Sequence, residues 1–238
     1  MHSYSKIYRY ILDKIKSGEL KDGDTVPKEM ELSKTFGVSR PTVRQALGML
    51  VSDGYVQRVR GKGSFVTKPK VMQGYTRFIE SYNNEMKKKG LVPKTKVLEI
   101  SVKYPDETVR KQLEIDDTEK VVLLKRLRYI VESDSPKPMI LTTVYFPLSL
   151  MPNFFEYDFE TMSFYEALAK NNVKVSRVTR LMEIKPTGRR IAQMFSLGDN
   201  AACHYISSVG YDENAKPIEY SENYYPADRN TFTVVIEN

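Results

Sequence analysis

Residues 40–45 hold Arg40, Thr42, Arg44 and Gln45, four hydrogen-bonding side chains within two helical turns. Arginine suits guanine O6 and N7 or a phosphate, glutamine suits adenine, and threonine suits phosphate oxygens. Arg60, Gly61 and Lys62 form a second basic group with a glycine that lets the chain turn sharply. Farther on, Arg126 and Arg128 stand two apart between Leu124 and Ile130. In a strand both project from one face, roughly 7 Å apart. A buried guanidinium without a partner is costly. The pattern alone favours an internal carboxylate as that partner and leaves a bound anion as the alternative. Ser163-Phe164-Tyr165-Glu166 is a capping box that opens a helix. Its free N–H groups suit phosphate, although an ordinary cap is the commoner use.

The first group needs helices to present it. Ile7, Ile11, Leu12 and Ile15 fall at helical spacing and predict a helix over 5–17, stopped by Gly18. A second helix is expected from Pro27, with Leu32 and Phe36 inward, to Gly37. A third follows N-cap Ser39 over 40–52, burying Val43, Leu47 and Leu50, and Gly54 ends it. That stripe leaves Arg40, Thr42, Arg44 and Gln45 exposed. Two short helices joined by a glycine-containing turn make a helix-turn-helix, whose second helix enters the major groove. Residues 55–66 alternate around Gly61-Lys62-Gly63 and predict a hairpin with Lys62 at its tip.

Charge agrees. Residues 1–70 carry 14 Lys+Arg against 7 Asp+Glu, whereas residues 71–238 carry 23 of each, so the whole net charge of +7 lies in the first third. A basic segment of this kind fits a polyanion such as nucleic acid, with a solvated basic face as the plainer alternative.

Residues 67–74 read as a linker and 75–89 as a connecting helix. Beyond them, strands are expected over 95–102, 121–131, 140–146, 173–184, 203–211, 218–225 and 232–236. Short helices are expected over 107–113, 164–171 and 189–195. Several turns are too short for crossovers, so the sheet is mostly antiparallel and the class is α+β. The expected divisions are 1–67, 68–89 and 90–238.

The 238 residues suffice for one large domain or two ordinary ones, and a composition 41% hydrophobic and 28% charged is that of a folded soluble protein. Apolar runs are too short for a membrane span, no export signal opens the chain, and a lone Cys203 fits the reducing cytoplasm. No phosphate loop, zinc helix or nucleophile elbow is present. His2 and His204 are the only histidines, and Cys203 and His204, adjacent in a strand, face opposite ways. No cofactor, metal or catalytic group is expected, and Cys203 reads as a small buried side chain.

Residues 3–66 resemble the winged helix-turn-helix of the GntR family of bacterial transcription regulators. The match runs through Gly18-Glu19-Leu20, Gly23-Asp24, Pro27, Glu29, Leu32, residues 38–47, Leu50, Gly54-Tyr55 and residues 60–66. The resemblance implies operator contacts from Arg40, Arg44 and the wing tip. Met30 stands where the family has arginine, a lost contact that Lys28 partly replaces. Residues 75–236 are similar to the effector domain of the HutC branch, whose fold resembles chorismate lyase. The match rests on Glu85-Met86, Gly90, residues 126–129, Pro138-Met139, Ser163-Phe164-Tyr165, Glu219-Tyr220-Ser221, Tyr225 and Asp228-Arg229. It implies that Arg126, Arg128 and Ser163 hold a phosphate, with Asn83 or Ser81 adding a contact, and that Glu219 and Tyr225 line a sugar. Thr142 replaces the glutamate of amino-sugar sensors. The expected partners are a palindromic double-stranded operator, a sugar-phosphate effector and a second copy of the chain. A phosphonate or other small acid as effector, or a lyase-like activity, is the alternative.

Overall fold

Three helices and a hairpin fill the front of the chain in the computed structural model, which describes residues 3–67, 69–75, 82–131 and 136–234. The chain divides into two units, Met1–Val71 and Met72–Asn238.

In the first unit, α1 (Ser3–Lys16) buries Ile7 and Ile11, one turn apart on one face. Helix α2 (Glu29–Phe36) starts later than the sequence suggests. Pro27 lies outside it, because Glu31 accepts a hydrogen bond from the Lys28 amide at 2.9 Å and makes Lys28 the cap. Gly37 closes α2 in the left-handed region (φ 62°), and its N–H returns to the Lys34 carbonyl. Helix α3 (Arg40–Ser52) follows Ser39 as expected, with Pro41 in its first turn. Its Val43, Ala46, Leu47 and Leu50 meet Ile7, Ile11 and Leu32 in one core.

The hairpin forms as expected from β1 (Val56–Val59) and β2 (Gly63–Val66). Gly61 and Gly63 take positive φ (76° and 116°), which the tight tip requires. The wing is fastened at its base. The Val26 amide donates to the Ser64 carbonyl and the Val66 amide to the Asp24 carbonyl, both near 2.9 Å.

The second unit is built on a six-stranded antiparallel sheet. Its strands are β4 (Pro93–Lys103), β5 (Val121–Ile130), β6 (Lys137–Pro147), β7 (Arg177–Pro186), β8 (Ala202–Tyr211) and β9 (Pro217–Pro226). They lie in the order β4-β5-β6-β9-β8-β7. Helix α6 (Phe164–Lys170) covers one face, packing Phe164, Ala167 and Leu168 on Val122, Leu124, Val144 and Phe146. Helices α5 (Glu107–Leu113) and α7 (Gly188–Met194) cover the other, where Leu123 and Leu127 point. The class is α+β.

Besides the start of α2 and shifts of a few residues at strand ends, three elements depart from the sequence reading. The supposed linker contains a strand, β3 (Val71–Tyr75), paired with β10 (Asn230–Val234). A partner more than 150 residues away leaves no local pattern. The connecting helix shrinks to α4 (Tyr82–Lys88), Tyr75 belonging to β3 and residues 76–81 lying outside the described residues. Strand β7 begins at Arg177, not Val173. Val173 and Val175 pack against the α6 core, and the Val173 amide bonds to Leu168 O at 3.0 Å. Their alternation served a helix exit.

Candidate functional site

Helix α3 presents its early side chains as the sequence predicts. Arg40, Arg44 and Gln45 are exposed and Thr42 is half-buried, its hydroxyl bonded to that of Ser39 at 2.9 Å. Lys28, Arg60, Gly61 and Lys62 are exposed as well. The sequence reading took Glu29 only as part of the family match and missed its contact with the recognition helix. Its carboxylate accepts from Arg44 Nε at 2.9 Å and lies 3.7 Å from Arg40 Nη2. A carboxylate on Nε restrains the guanidinium and does not use its Nη groups, which on this exposed side chain stay available for a bidentate contact of the kind guanine takes. Arg58 of the wing donates to the Arg44 carbonyl at 3.4 Å. An acidic residue one place into a helix whose partner helix is basic was the available signal.

In the second unit, register settles which side chains share a face. Arg126 pairs with Thr142 across β5–β6, and Thr142 pairs with Asn223 across β6–β9. Arg128, two residues on, lies on the same face, as do Glu219 and Tyr225 at alternate positions of β9. Arg126 and Thr142 are buried, and neither Arg126 Nε nor Thr142 Oγ1 has a hydrogen-bond partner among the described residues. The hydroxyl of buried Tyr82 on α4 is in the same position. Arg128 is half-buried, its guanidinium 5.1 Å from the Tyr82 ring centre. Neither arginine has the internal ion pair favoured on pattern alone: among the described residues no carboxylate lies within bonding distance of either. Burial and the like charge of Arg128 both work against the charge on Arg126, and Glu219 eases it. Three buried polar groups without partners are an unusual concentration, and a bound anion with hydroxyls would satisfy them.

Ser163 caps α6 in both directions. Its hydroxyl accepts from the Glu166 amide at 3.1 Å, and Glu166 accepts from the Ser163 amide at 2.8 Å. Those bonds hold the Glu166 carboxyl below its ordinary range. Tyr165, next but one, donates its hydroxyl to Glu219 at 2.7 Å. Glu219 is 2% exposed, and burial pushes its carboxyl up to about 7 against the pull of Tyr165, Arg180 and Arg126. Burial also raises the Tyr225 phenol, opposed by Arg128 and Arg180. Asn83 is half-buried beside Tyr82, without a hydrogen bond to either guanidinium, and Ser81 lies outside the described residues. Sequence reasoning did not single out Tyr82, Arg180 or Gly210. Gly210, a glycine inside a strand, was a legible sign of close approach.

Cys203 is fully buried and burial raises its thiol to about 11. Among the described residues no His, Cys, Asp or Glu group is arranged to hold a metal. No described helix is long and apolar enough to cross a membrane.

A winged helix-turn-helix, carried in one chain with an α+β domain that buries arginine and hydroxyl groups on one sheet face, fits a ligand-responsive DNA-binding regulator. Comparison with known proteins gives the same class. Residues 3–66 match the model of bacterial regulatory proteins of the gntR family, and residues 88–231 match the UTRA domain. The chain is 29% identical over 233 residues to the HTH-type transcriptional repressor NagR of Bacillus subtilis, covering 96% of this chain and 92% of that one. It is 28% identical over 240 residues to the mannosyl-D-glycerate transport/metabolism system repressor MngR of Escherichia coli, covering 98% and 97%. Among solved structures, PhnF from Mycobacterium smegmatis superposes with a TM-score of 0.80 at 28% identity, covering 97% and 99%. The chain belongs to the GntR family, in the branch that carries a UTRA domain, and is a transcription regulator, not an enzyme.

Proposed function

We propose that this regulator is a cytoplasmic repressor that binds a palindromic operator as a homodimer and is released by a phosphorylated sugar. Residues 1–67 read the operator through Arg40, Thr42, Arg44, Gln45, the wing tip Arg60-Gly61-Lys62 and Lys28. Residues 90–238 hold the effector, and 68–89 transmit its binding. Two recognition helices related by a two-fold axis suit a two-fold operator.

The observation that supports the effector reading most is the buried Arg126, its Nε without a partner, beside Thr142 with an idle hydroxyl. A phosphate accepts from both Arg126 and Arg128 and offsets the cost of burying them. Ser163, Asn83, Glu219 and Tyr225 would complete the site. A threonine in place of an ammonium-pairing glutamate points away from amino sugars. Among the relatives, one named for the mannosyl-D-glycerate system supports a carbohydrate effector.

The effector binds a state in which the paired DNA heads do not match the operator, so each ligand weakens the other by the same factor. Two variants separate the sites. Arg44→Ala lowers operator affinity and leaves effector binding unchanged. Arg126→Ala with Arg128→Ala leaves operator binding intact and abolishes release. Release that survives the double change removes the phosphate site.

A further inference from the structure

Beside the polar side chains of α3 stands a large apolar one. Met30, the second residue of α2, is 59% exposed, more than any other large apolar side chain among the described residues of the first unit. The others have a structural account or lie elsewhere. Tyr10 rests edge-on against Phe36, ring centres 5.2 Å apart, with Lys14 over its face. Met49 and Val51 belong to the last turns of α3, away from Arg40, Arg44 and Gln45. Leu32, two residues after Met30, is buried in the helical core. Two residues turn a helix by about 200°, so Met30 faces away from that core.

The neighbour of Met30 fixes where it stands. Glu29 accepts from Arg44 Nε at 2.9 Å and lies 3.7 Å from Arg40 Nη2, which ties the first turn of α2 to the first two turns of α3. Those early turns are the part of a recognition helix that contacts base edges in the major groove. A cation at position 30 would gain from phosphate on any sequence. A thioether gains only from an apolar surface, and the one apolar group that base pairs present in the major groove is the C5-methyl of thymine. Methionine is unbranched and polarizable, so it adapts to such a contact.

Resting on the operator-reading role proposed above, we infer that Met30 reads a thymine methyl, so that each operator half carries a thymine beside the bases that Arg40 and Arg44 contact. The contact buries apolar surface and moves no charge, so it adds sequence preference without adding salt dependence.

The test lets the full chain select its operator from a library of random duplexes. Each thymine of that operator is then replaced in turn by deoxyuridine, which lacks the methyl group alone. Anisotropy is expected to show one thymine in each half-site where the change weakens wild-type binding about fourfold, the worth of one buried methyl group. Met30→Ala, a substitution an exposed helix position accepts, is expected to bind both duplexes equally at that position and to keep the wild-type salt dependence. Met30→Arg is expected to lose the same preference and to steepen the salt dependence. No thymine whose methyl group matters, or a deoxyuridine penalty that survives Met30→Ala, as it would if the Thr42 methyl made the contact, overturns this inference. If Arg44→Ala still weakens operator binding in that case, the DNA-reading end stands without it. If the library yields no preferred duplex, the operator reading and this inference fall together.

Discussion

Gly210 faces Glu219 across the β8–β9 pair so closely that a methyl group at 210 would lie 2.5 Å from Glu219 Cγ and 2.6 Å from Oε1. The absence of a side chain at 210 is what seats the carboxyl where Tyr165 can bond it. Gly210→Ala must push Glu219 aside and break that 2.7 Å bond. Effector affinity is expected to fall about tenfold, the loss of one hydrogen bond to a buried group, with operator affinity unchanged. Calorimetry and anisotropy on the full chain check it. An effector affinity equal to wild type contradicts the seating role.

Glu219 also gives a pH signature. Its carboxyl is raised from 4.5 to about 7 in the folded chain, first by burial. The unfolded chain releases this proton near 4.5, whereas the folded chain keeps it until about 7. The folded state binds more protons in that window, so stability falls as pH rises from 4.5 to 7 and stays lower above it. The full effect is about 3 kcal/mol. Calorimetric unfolding of Glu219→Gln beside wild type should show this part of the slope vanish. A parallel slope in both proteins places the proton elsewhere.

Arg126 should be a liability without ligand. Replacing a buried charge with an apolar group of similar length often stabilises by about 1–4 kcal/mol. Arg126→Met is expected to raise the melting temperature of the ligand-free protein and to abolish the further rise that a phosphorylated sugar causes. A lower melting temperature would show that the guanidinium already has what it needs.

At the DNA-reading end, Glu29 is expected to set specificity more than affinity. Glu29→Ala frees Arg44 and removes a negative charge near the phosphates. Binding to random duplex should strengthen while the preference for the operator drops about tenfold. Anisotropy with both duplexes over a salt series separates the two effects, because unspecific binding carries the steeper salt dependence. An unchanged preference would reduce the Glu29–Arg44 bond to a surface ion pair.

The parts of the fold that local pattern dictates were legible. The helix-turn-helix followed from Leu32, Gly37, Ser39 and the Val43-Leu47-Leu50 stripe, because caps and periodicity act within a few residues. Strand β5 and the shared face of Arg126 and Arg128 followed from alternation. What pairing across distance decides was not legible. Residues 71–75 looked like a linker because their partner strand is at the other end of the chain. The alternation at Val173 and Val175 belonged to the α6 core, not to a strand. Arg180 and Gly210 acquire meaning only through register with Ser208 and Glu219. Glu29 needed the angle between two helices to reach Arg44.

In the proposed function one chain reads a duplex through its first unit and a small anion through its second, and the two bindings oppose each other. The direct measurement is operator affinity of the full chain with and without saturating effector, beside effector affinity with and without saturating operator. The account predicts that both fall, and by one common factor. Operator affinity that is indifferent to an effector bound at Arg126 would contradict it.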